Sequence, residues 1–478
     1  MLKGAIHNRI KSMPKLTLIF PRFRYPSGDY PIGVALLAAV VRSELGWNVS
    51  ICDTTFDPKI STITAFLDSE QPDYVGVGMS TLMLGEGLEA CRLAKSMGCT
   101  VFVGGPHPTT APDELLAHSF IDAVVLGEGE LPTIDLLRMF ECGNRHEVKG
   151  AHVKLDDGTV AYAKGRHPVE SLDRLPFPAW DLIDMTRYIN VWGQLDSVQP
   201  GLRGVNITAA RGCPFSCTFC QPVLDAMFGK KLRQRSPQSV IMELKALKAQ
   251  YDIEAFWFTD DTFTTNRKWV LAFCDALEEA QLNLLWGCTT RANLIPSSLM
   301  KRMHSAGLRK LGIGLESATD HIREELYQKG VSDTAVIETV HNAHSVGVQT
   351  LLFLMLGAPG ENRTDMMQTV ELATKLPASE ASFSLFVPIP GTDLYQKMIE
   401  EGYQLSENYI DYDYYARQPF EHQIARWQLR LIQRYAYLRF YSHPNRWPSM
   451  RRIMMSAQGR RSLAGKLKRI LPLLNPAT

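Results

Sequence analysis

Apolar residues along the first third of the chain recur in two alternating patterns. Short apolar runs at 15–21, 48–54, 73–80, 100–106 and 122–127 read as buried strands. They are separated by segments near 32–45, 59–69, 83–97, 110–118 and 130–140 whose apolar positions fall at helical spacing. Strands that alternate with helices predict a parallel, doubly wound, Rossmann-like sheet. The alternation resumes beyond residue 200. Strands are expected at 204–210, 255–261, 284–291, 310–317, 349–357 and 382–388, with helices at 237–251, 266–280, 296–306, 334–346 and 361–376. Six such units predict a partial (β/α)6 barrel of the TIM type, with active residues at the carboxyl ends of its strands. Between them, 141–200 reads as a connector, with a hairpin over 152–162 that turns at Asp156-Asp-Gly158 and the Pro-rich stretch 175–181. The expected division is 1–140, 141–200, 201–400 and a helical region over 401–478.

Doubly wound sheets bind ligands beyond the carboxyl ends of their strands. The residues expected there are small or flexible: Ser80 and Thr81 after the third strand, Gly104 and Gly105 after the fourth, Gly127 and Glu128 after the fifth. Glycine lets a ligand approach the backbone closely, and it also makes tight strand-to-helix turns. These loops are therefore open to both readings.

The most specific chemistry lies just after the first barrel strand. Cys213, Cys217 and Cys220, spaced C-x3-C-x2-C, supply three thiolates in one loop, one fewer than a closed iron–sulfur site uses. An open metal position is a place for substrate. The alternatives are a zinc site completed by a distant His, or cysteines without metal; no second cysteine pair follows downstream. The loop resembles the cluster loop of the radical S-adenosylmethionine (SAM) superfamily. The resemblance implies a [4Fe–4S] cluster on the three cysteines, with SAM chelated at the fourth iron and cleaved to a deoxyadenosyl radical. Phe219, just before the last cysteine, would lie against adenine.

The other barrel strand ends are polar in the same sense. By resemblance Asp260 would lie near the SAM amino group, Arg291 near its carboxylate, and Glu316 near amino or ribose groups; each could also be an ordinary structural pair. Asp261 has a further reading as the cap of the next helix. The first sheet resembles the cobalamin-binding domain that precedes many radical SAM domains, on Pro31-Ile-Gly33, Asp53, Gly104-Gly-Pro-His-Pro-Thr109 and Gly127-Glu-Gly-Glu130. The D-x-H-x-x-G motif that supplies a cobalt-ligating His elsewhere is absent, and His107 does not replace it. Many relatives bind cobalamin without that His. The resemblance implies cobalamin-dependent methyl transfer to an unactivated carbon, or else cyclisation, ring rearrangement or oxidation of a tetrapyrrole, lipid or natural product. A methylthiotransferase lacks support because Cys52, Cys91 and Cys99 are a poor second ligand set. A corrinoid carrier would leave the cysteine loop unexplained.

The remaining cysteines, Cys142, Cys274 and Cys288 included, are expected as small core residues. An odd total of nine argues for a reducing, cytoplasmic setting, and no apolar run approaches the ~18 residues of a membrane span. The net charge of +1 conceals an asymmetry: after Glu421 there are twelve basic residues and no acidic one. Arg426, Arg430 and Arg434, with apolar residues between them, predict a basic amphipathic helix, and 462–471 a second. Such a tail fits a helix packed on the barrel, peripheral contact with an anionic membrane, or a hydrophobic or anionic small-molecule substrate. No nucleic-acid module accompanies it. The resemblance adds an electron donor such as flavodoxin or ferredoxin.

Overall fold

The computed structural model describes residues 13–24, 27–408, 411–412, 418–455, 459–460 and 464. The first sheet contains β1 (Lys15–Phe20), β2 (Asn48–Asp53), β3 (Tyr74–Gly78), β4 (Thr100–Gly104) and β5 (Ala123–Val125), all parallel, in the order β2-β1-β3-β4-β5. These strands are buried on both faces, as crossover helices require. The hairpin expected over 152–162 forms. Its strands β6 (Ala151–Lys154) and β7 (Val160–Ala161) add antiparallel to β5 and complete the same sheet. One correction concerns 110–118, where two short helices stand, Pro106–Thr110 and Pro112–Leu116. Pro112 lacks the amide that would carry the first helix onward and instead starts the second.

The second sheet holds six parallel strands: β8 (Gly204–Ile207), β11 (Ala255–Phe258), β12 (Leu285–Thr290), β13 (Leu308–Glu316), β14 (Gln349–Leu356) and β15 (Glu380–Leu385). Each neighbours its successor, which gives an open half barrel. A small ribbon of β9 (Ala210–Arg211) and β10 (Arg233–Gln234) follows β8. The outer helices begin at sharp caps just past the strand ends: Ser236 with Pro237, Asn266, Ser332, and a capping box of Asn362 with Asp365. Asn266, not Asp261, caps Arg267–Glu279, so that expectation is corrected.

Glycines shape the lumen. A Cβ on Gly204 would lie 2.1 Å from the Trp192 ring, one on Gly287 2.3 Å from Trp257, and one on Gly312 2.8 Å from Phe353. The amino end of the barrel is plugged by the connector. Trp192, Leu195 and Leu202 pack on Ala255 and Trp257. Lys310 donates to the Gln194 carbonyl and pairs with Glu380, and Gln349 donates to the Ser197 carbonyl. Only the carboxyl end remains for chemistry.

The basic helix Arg426–Tyr441 covers the free edge of β15. Gln433 donates to the Phe383 carbonyl at 2.7 Å, and the Phe383 amide donates to the Tyr437 hydroxyl at 3.2 Å. Side chains thus satisfy an edge that would otherwise template another strand. Most of 462–471 lies outside the described residues. Cys52, Cys91, Cys99, Cys274 and Cys288 are buried as expected, whereas Cys142, the last residue of helix Glu130–Cys142, is exposed. Gly287→Ala is expected to lower stability by about 1–3 kcal/mol, because the Lys310 carbonyl at 2.9 Å blocks relief on the other side. A thermal melt compared with wild type checks it.

Candidate functional site

The cysteine loop is held by its own side chains and by three strand ends. Gln221 donates to the carbonyls of Phe215 and Cys213 at 3.1 and 3.4 Å and accepts from the Asp225 amide. Thr218 donates to the Leu326 carbonyl at 2.6 Å, and its amide donates to Tyr327. Leu326 ends a π-helical turn, His321–Leu326, of a kind frequent at functional sites. Phe219 meets Tyr327 edge-on at 5.1 Å.

Each cysteine faces a different wall. Cys213 Sγ lies 3.8 Å from the Thr262 hydroxyl, beyond β11. Cys217, buried, accepts from Arg291 Nη1 at 3.3 Å, beyond β12. Cys220 feels Glu316 and Lys329, which form a buried pair at 2.5 Å beyond β13. Burial pushes the Cys213 and Cys220 thiols up, and the neighbouring Cys217 adds to both shifts. Among the described residues no three His, Cys, Asp or Glu side chains are placed to hold a single metal ion. A cubane needs no such convergence, since each thiolate binds a different iron. Three thiols splayed from one loop fit that donor set.

Arg291 is fixed on several sides. Its guanidinium stacks 3.8 Å over the Phe215 ring, donates to the Lys329 carbonyl, and keeps Nε buried without a partner. Glu316 sits at φ +59°, just after a register shift between β13 and β14, which turns its carboxylate to Lys329. Asp260 stands, buried, just past the end of β11. Its Oδ1 accepts from the amides of Ala209 and Ala210 at 2.8 and 3.1 Å, so the side chain bridges β11 to the strand that leads into the cysteine loop. Alternate residues on the inner wall, Phe353 and Met355 on β14 and Ser382 and Ser384 on β15, are half-buried and line the lumen with apolar and hydroxyl groups.

The first sheet meets this site at its carboxyl edge. Glu128 is buried and accepts from Arg211 at 2.8 Å, from Arg233, and from the Val169 amide; Glu130 takes the other nitrogen of Arg211 at 2.5 Å. Arg211 is two residues before Cys213. Gly127, at φ +69°, packs where a Cβ would lie 2.9 Å from the Met227 carbonyl, on the helix after the cysteine loop. Gly105, at φ +116°, packs on the Met79 carbonyl, and Gly104 lies near Val125. The close approaches at Gly105 and Gly127 are therefore to protein backbone. Ser80 and Thr81 remain half-buried at the edge, and Thr81 pairs with His107 Nδ1 at 3.2 Å. His107 is wholly buried, with Nε2 3.7 Å from Glu114. Asp53 accepts from the Tyr188 hydroxyl at 2.5 Å.

Lys329, Gln221, Arg211, Arg233 and Glu130 are site residues that the sequence reading did not assign. Arg211 and Gln221 flank the cysteine motif and Glu130 ends the Gly-Glu-Gly-Glu loop, which are local signals; Lys329 and Arg233 had none.

Burial pushes the Asp260 carboxyl up to about 7, against its two amide bonds, with Asp261 pushing the same way. A raised carboxyl stabilises the fold fully below its unfolded value, near 3.8, and that contribution is lost as pH rises through about 7. Asp260→Asn keeps an acceptor for both amides. It is expected to flatten the decline in stability between about pH 4 and 7, measured by urea unfolding across that range.

Comparison with known proteins places this geometry in a family. Residues 207–373 match the radical SAM superfamily and 27–137 match the B12-binding domain. The chain is 32% identical over 419 residues to the uncharacterized methyltransferase PH0819 of Pyrococcus horikoshii, covering 87% of this chain and 88% of that protein. It is 27% identical over 379 residues to the anaerobic magnesium-protoporphyrin IX monomethyl ester cyclase of Rubrivivax gelatinosus, covering 77% of this chain and 66% of that one. Among solved structures, the radical SAM methyltransferase TsrM of Kitasatospora setae, with cobalamin and a [4Fe–4S] cluster bound, shares the fold at a TM-score of 0.67 and 20% identity, over 81% of this chain and 78% of that chain. With a cysteine loop at the mouth of a half barrel and a doubly wound sheet turned edge-on to it, the chain belongs to the radical SAM enzymes that carry a B12-binding domain.

Proposed function

We propose that this enzyme transfers a methyl group to an unactivated carbon of a small molecule in a cobalamin-dependent radical reaction. The observation that carries the reading is the ionic junction of Arg211 with Glu128 and Glu130, which turns the ligand edge of the first sheet toward the cysteine loop. When bound, the cluster supplies the electron that splits SAM, and the corrinoid supplies the methyl group. The residues of this chain then divide the remaining work. Cys213, Cys217 and Cys220 hold the cluster. Arg291, stacked on Phe215, orients the Cys217 thiolate and presents positive charge toward the SAM carboxylate. Phe219 offers an apolar face to adenine, and Glu316 with Lys329 offers both charges at the next strand end. Asp260 acts through Ala209 and Ala210 by fixing the backbone that enters the loop. On the first sheet, Ser80, Thr81 and Gly104 border the corrinoid, while Gly105, Gly127 and Glu128 set the shape of that border. Phe353 and Met355 exclude water from the lumen above the plug.

A second reading, radical cyclisation or ring rearrangement, is favoured by the Rubrivivax relative, a cyclase. The same assay separates the two. Protein purified without oxygen and supplied with iron, sulfide and cobalamin is reduced with SAM, and 5′-deoxyadenosine and S-adenosylhomocysteine are quantified. Both products together support methyl transfer; deoxyadenosine with corrinoid but no S-adenosylhomocysteine supports cyclisation. A reducing partner such as flavodoxin or ferredoxin, a cytoplasmic setting and peripheral contact with the membrane's anionic inner face belong to the same reading. Among the described residues no helix is long and apolar enough to cross a membrane.

Cys217→Ala is expected to abolish formation of 5′-deoxyadenosine and reduce bound iron, both measured on the anaerobic protein. Glu128→Gln leaves Arg211 and Arg233 facing a neutral group and loosens the junction. It is expected to lower S-adenosylhomocysteine formation by up to about a hundredfold, the cost of a small misplacement, while uncoupled deoxyadenosine formation persists.

A further inference from the structure

The two last described helices carry an apolar surface that no other described residue covers. Seven of the twelve large apolar side chains that stand exposed among the described residues fall within 427–455. On helix Arg426–Tyr441 the exposed set is Trp427, Leu431, Tyr435 and Leu438, spaced by four, four and three residues, which is one helical face. Trp427 and Leu438 are 62% and 69% exposed. Leu429, Ile432, Gln433, Ala436 and Phe440 are buried on the barrel side, so the apolar set has two destinations and only one is filled. Helix Trp447–Met455 repeats the arrangement: Ile453 is buried, whereas Trp447, Met454 and Met455 are exposed.

Charge selects the occupant. Arg426, Arg451, Arg452 and Arg460 are exposed around these faces, and no acidic residue occurs from 422 to 478. The rest of the tail, 461–478, is itself basic, with Arg461, Lys466, Lys468 and Arg469, and so does not complement the surface. A second copy would bring like charges together. Tryptophan, tyrosine and methionine amid arginines match the interface of an anionic bilayer, where rings sit at the headgroups and guanidinium groups meet lipid phosphate.

We infer that Trp427, Leu431, Leu438, Trp447 and Met455 form a docking face for an anionic phospholipid surface. The inference deepens the partner side of the reading above and rests on it, but not on the radical chemistry. The half barrel meets this face through β15, so docking would hold the enzyme at a lipid surface by that edge of the barrel.

The test uses the full chain without substrate, with vesicles of phosphatidylcholine alone or mixed with phosphatidylglycerol. Docking predicts pelleting with the anionic vesicles at low salt, weakening as salt rises. Leu431→Glu and Leu438→Glu are each expected to reduce partitioning by roughly tenfold. Arg451→Glu with Arg452→Glu, on the other helix, is expected to reduce it as well, with unchanged melting temperature. No pelleting at low salt, pelleting of all three variants equal to that of wild type, or a concentration-dependent dimer dissolved by the same substitutions would overturn the inference. Uncoupled deoxyadenosine formation by the leucine variants reads the radical reaction separately, so failure of docking and failure of the chemistry are told apart.

Discussion

The junction of Arg211 with Glu128 and Glu130 is the contact on which the rest of the molecule depends. Two acidic side chains from one sheet grip an arginine two residues before the first cluster cysteine, and Arg233 from the paired strand binds the same Glu128. The carboxylates and guanidinium groups are buried or nearly so. Burying such ions is expensive, and the attraction repays it only when the partners are all in place. Removing one leaves an uncompensated charge worth ~3–5 kcal/mol. A contact of that kind adds little net stability compared with a packed apolar interface. What it adds is a constraint on the relative placement of the two sheets, because one guanidinium must meet both glutamates at once. For chemistry that must bring two cofactors and a substrate together, placement is the property that matters.

The same logic runs through the cluster loop. Burial makes Cys213 and Cys220 poor anions, and the chain surrounds the loop with Arg291 and Lys329, cations that are themselves pinned. Arg291 is held by a ring on one side and a carbonyl on another, so little rotamer freedom remains to be lost when a ligand arrives. Glu361, at the next strand end, is wholly buried and pushed up to about 8 by burial, against the amides of Gly357 and Ala358. With Asp260 it forms a pair of raised carboxylates that brace loops near the site. Both favour the protonated form, so the apo fold is held more firmly toward acid than toward alkali in the window set by their shifts, between about 4 and 8.

The fold was legible from sequence because its signals are local. Strand and helix alternate over short distances, and polar caps at Ser236, Ser332 and Asn362 start three of the outer helices. The three cysteines were legible for the same reason, being confined to one short loop. What escaped notice is non-local. Glu128 and Arg211 are 83 residues apart, and Glu128 in a glycine-rich loop reads equally well as a ligand contact. Lys329 stands alone in a loop, and nothing local pairs it with Glu316, whose left-handed backbone turns the carboxylate toward it. Asp260 shows the converse. It occupies the expected strand end, yet backbone amides claim one of its oxygens, because a strand that stops to form a loop leaves donors that must be met.

An open half barrel has two liabilities, an unsealed bottom and a bare edge, and this chain closes both with segments outside the barrel sequence. The connector supplies Trp192 and the carbonyls of Gln194 and Ser197 to the bottom, and the basic helix supplies Gln433 and Tyr437 to the edge strand. Closing the edge with a helix rather than another strand has a consequence. A strand would have spent both its faces on the sheet, whereas a helix spends one and leaves the other to solvent. The exposed face of Trp427, Leu431, Tyr435 and Leu438 is thus the geometric remainder of edge protection. Selection for solubility would ordinarily make such a remainder polar. Here it is apolar and framed by arginine, which argues that the face is kept for contact rather than left over.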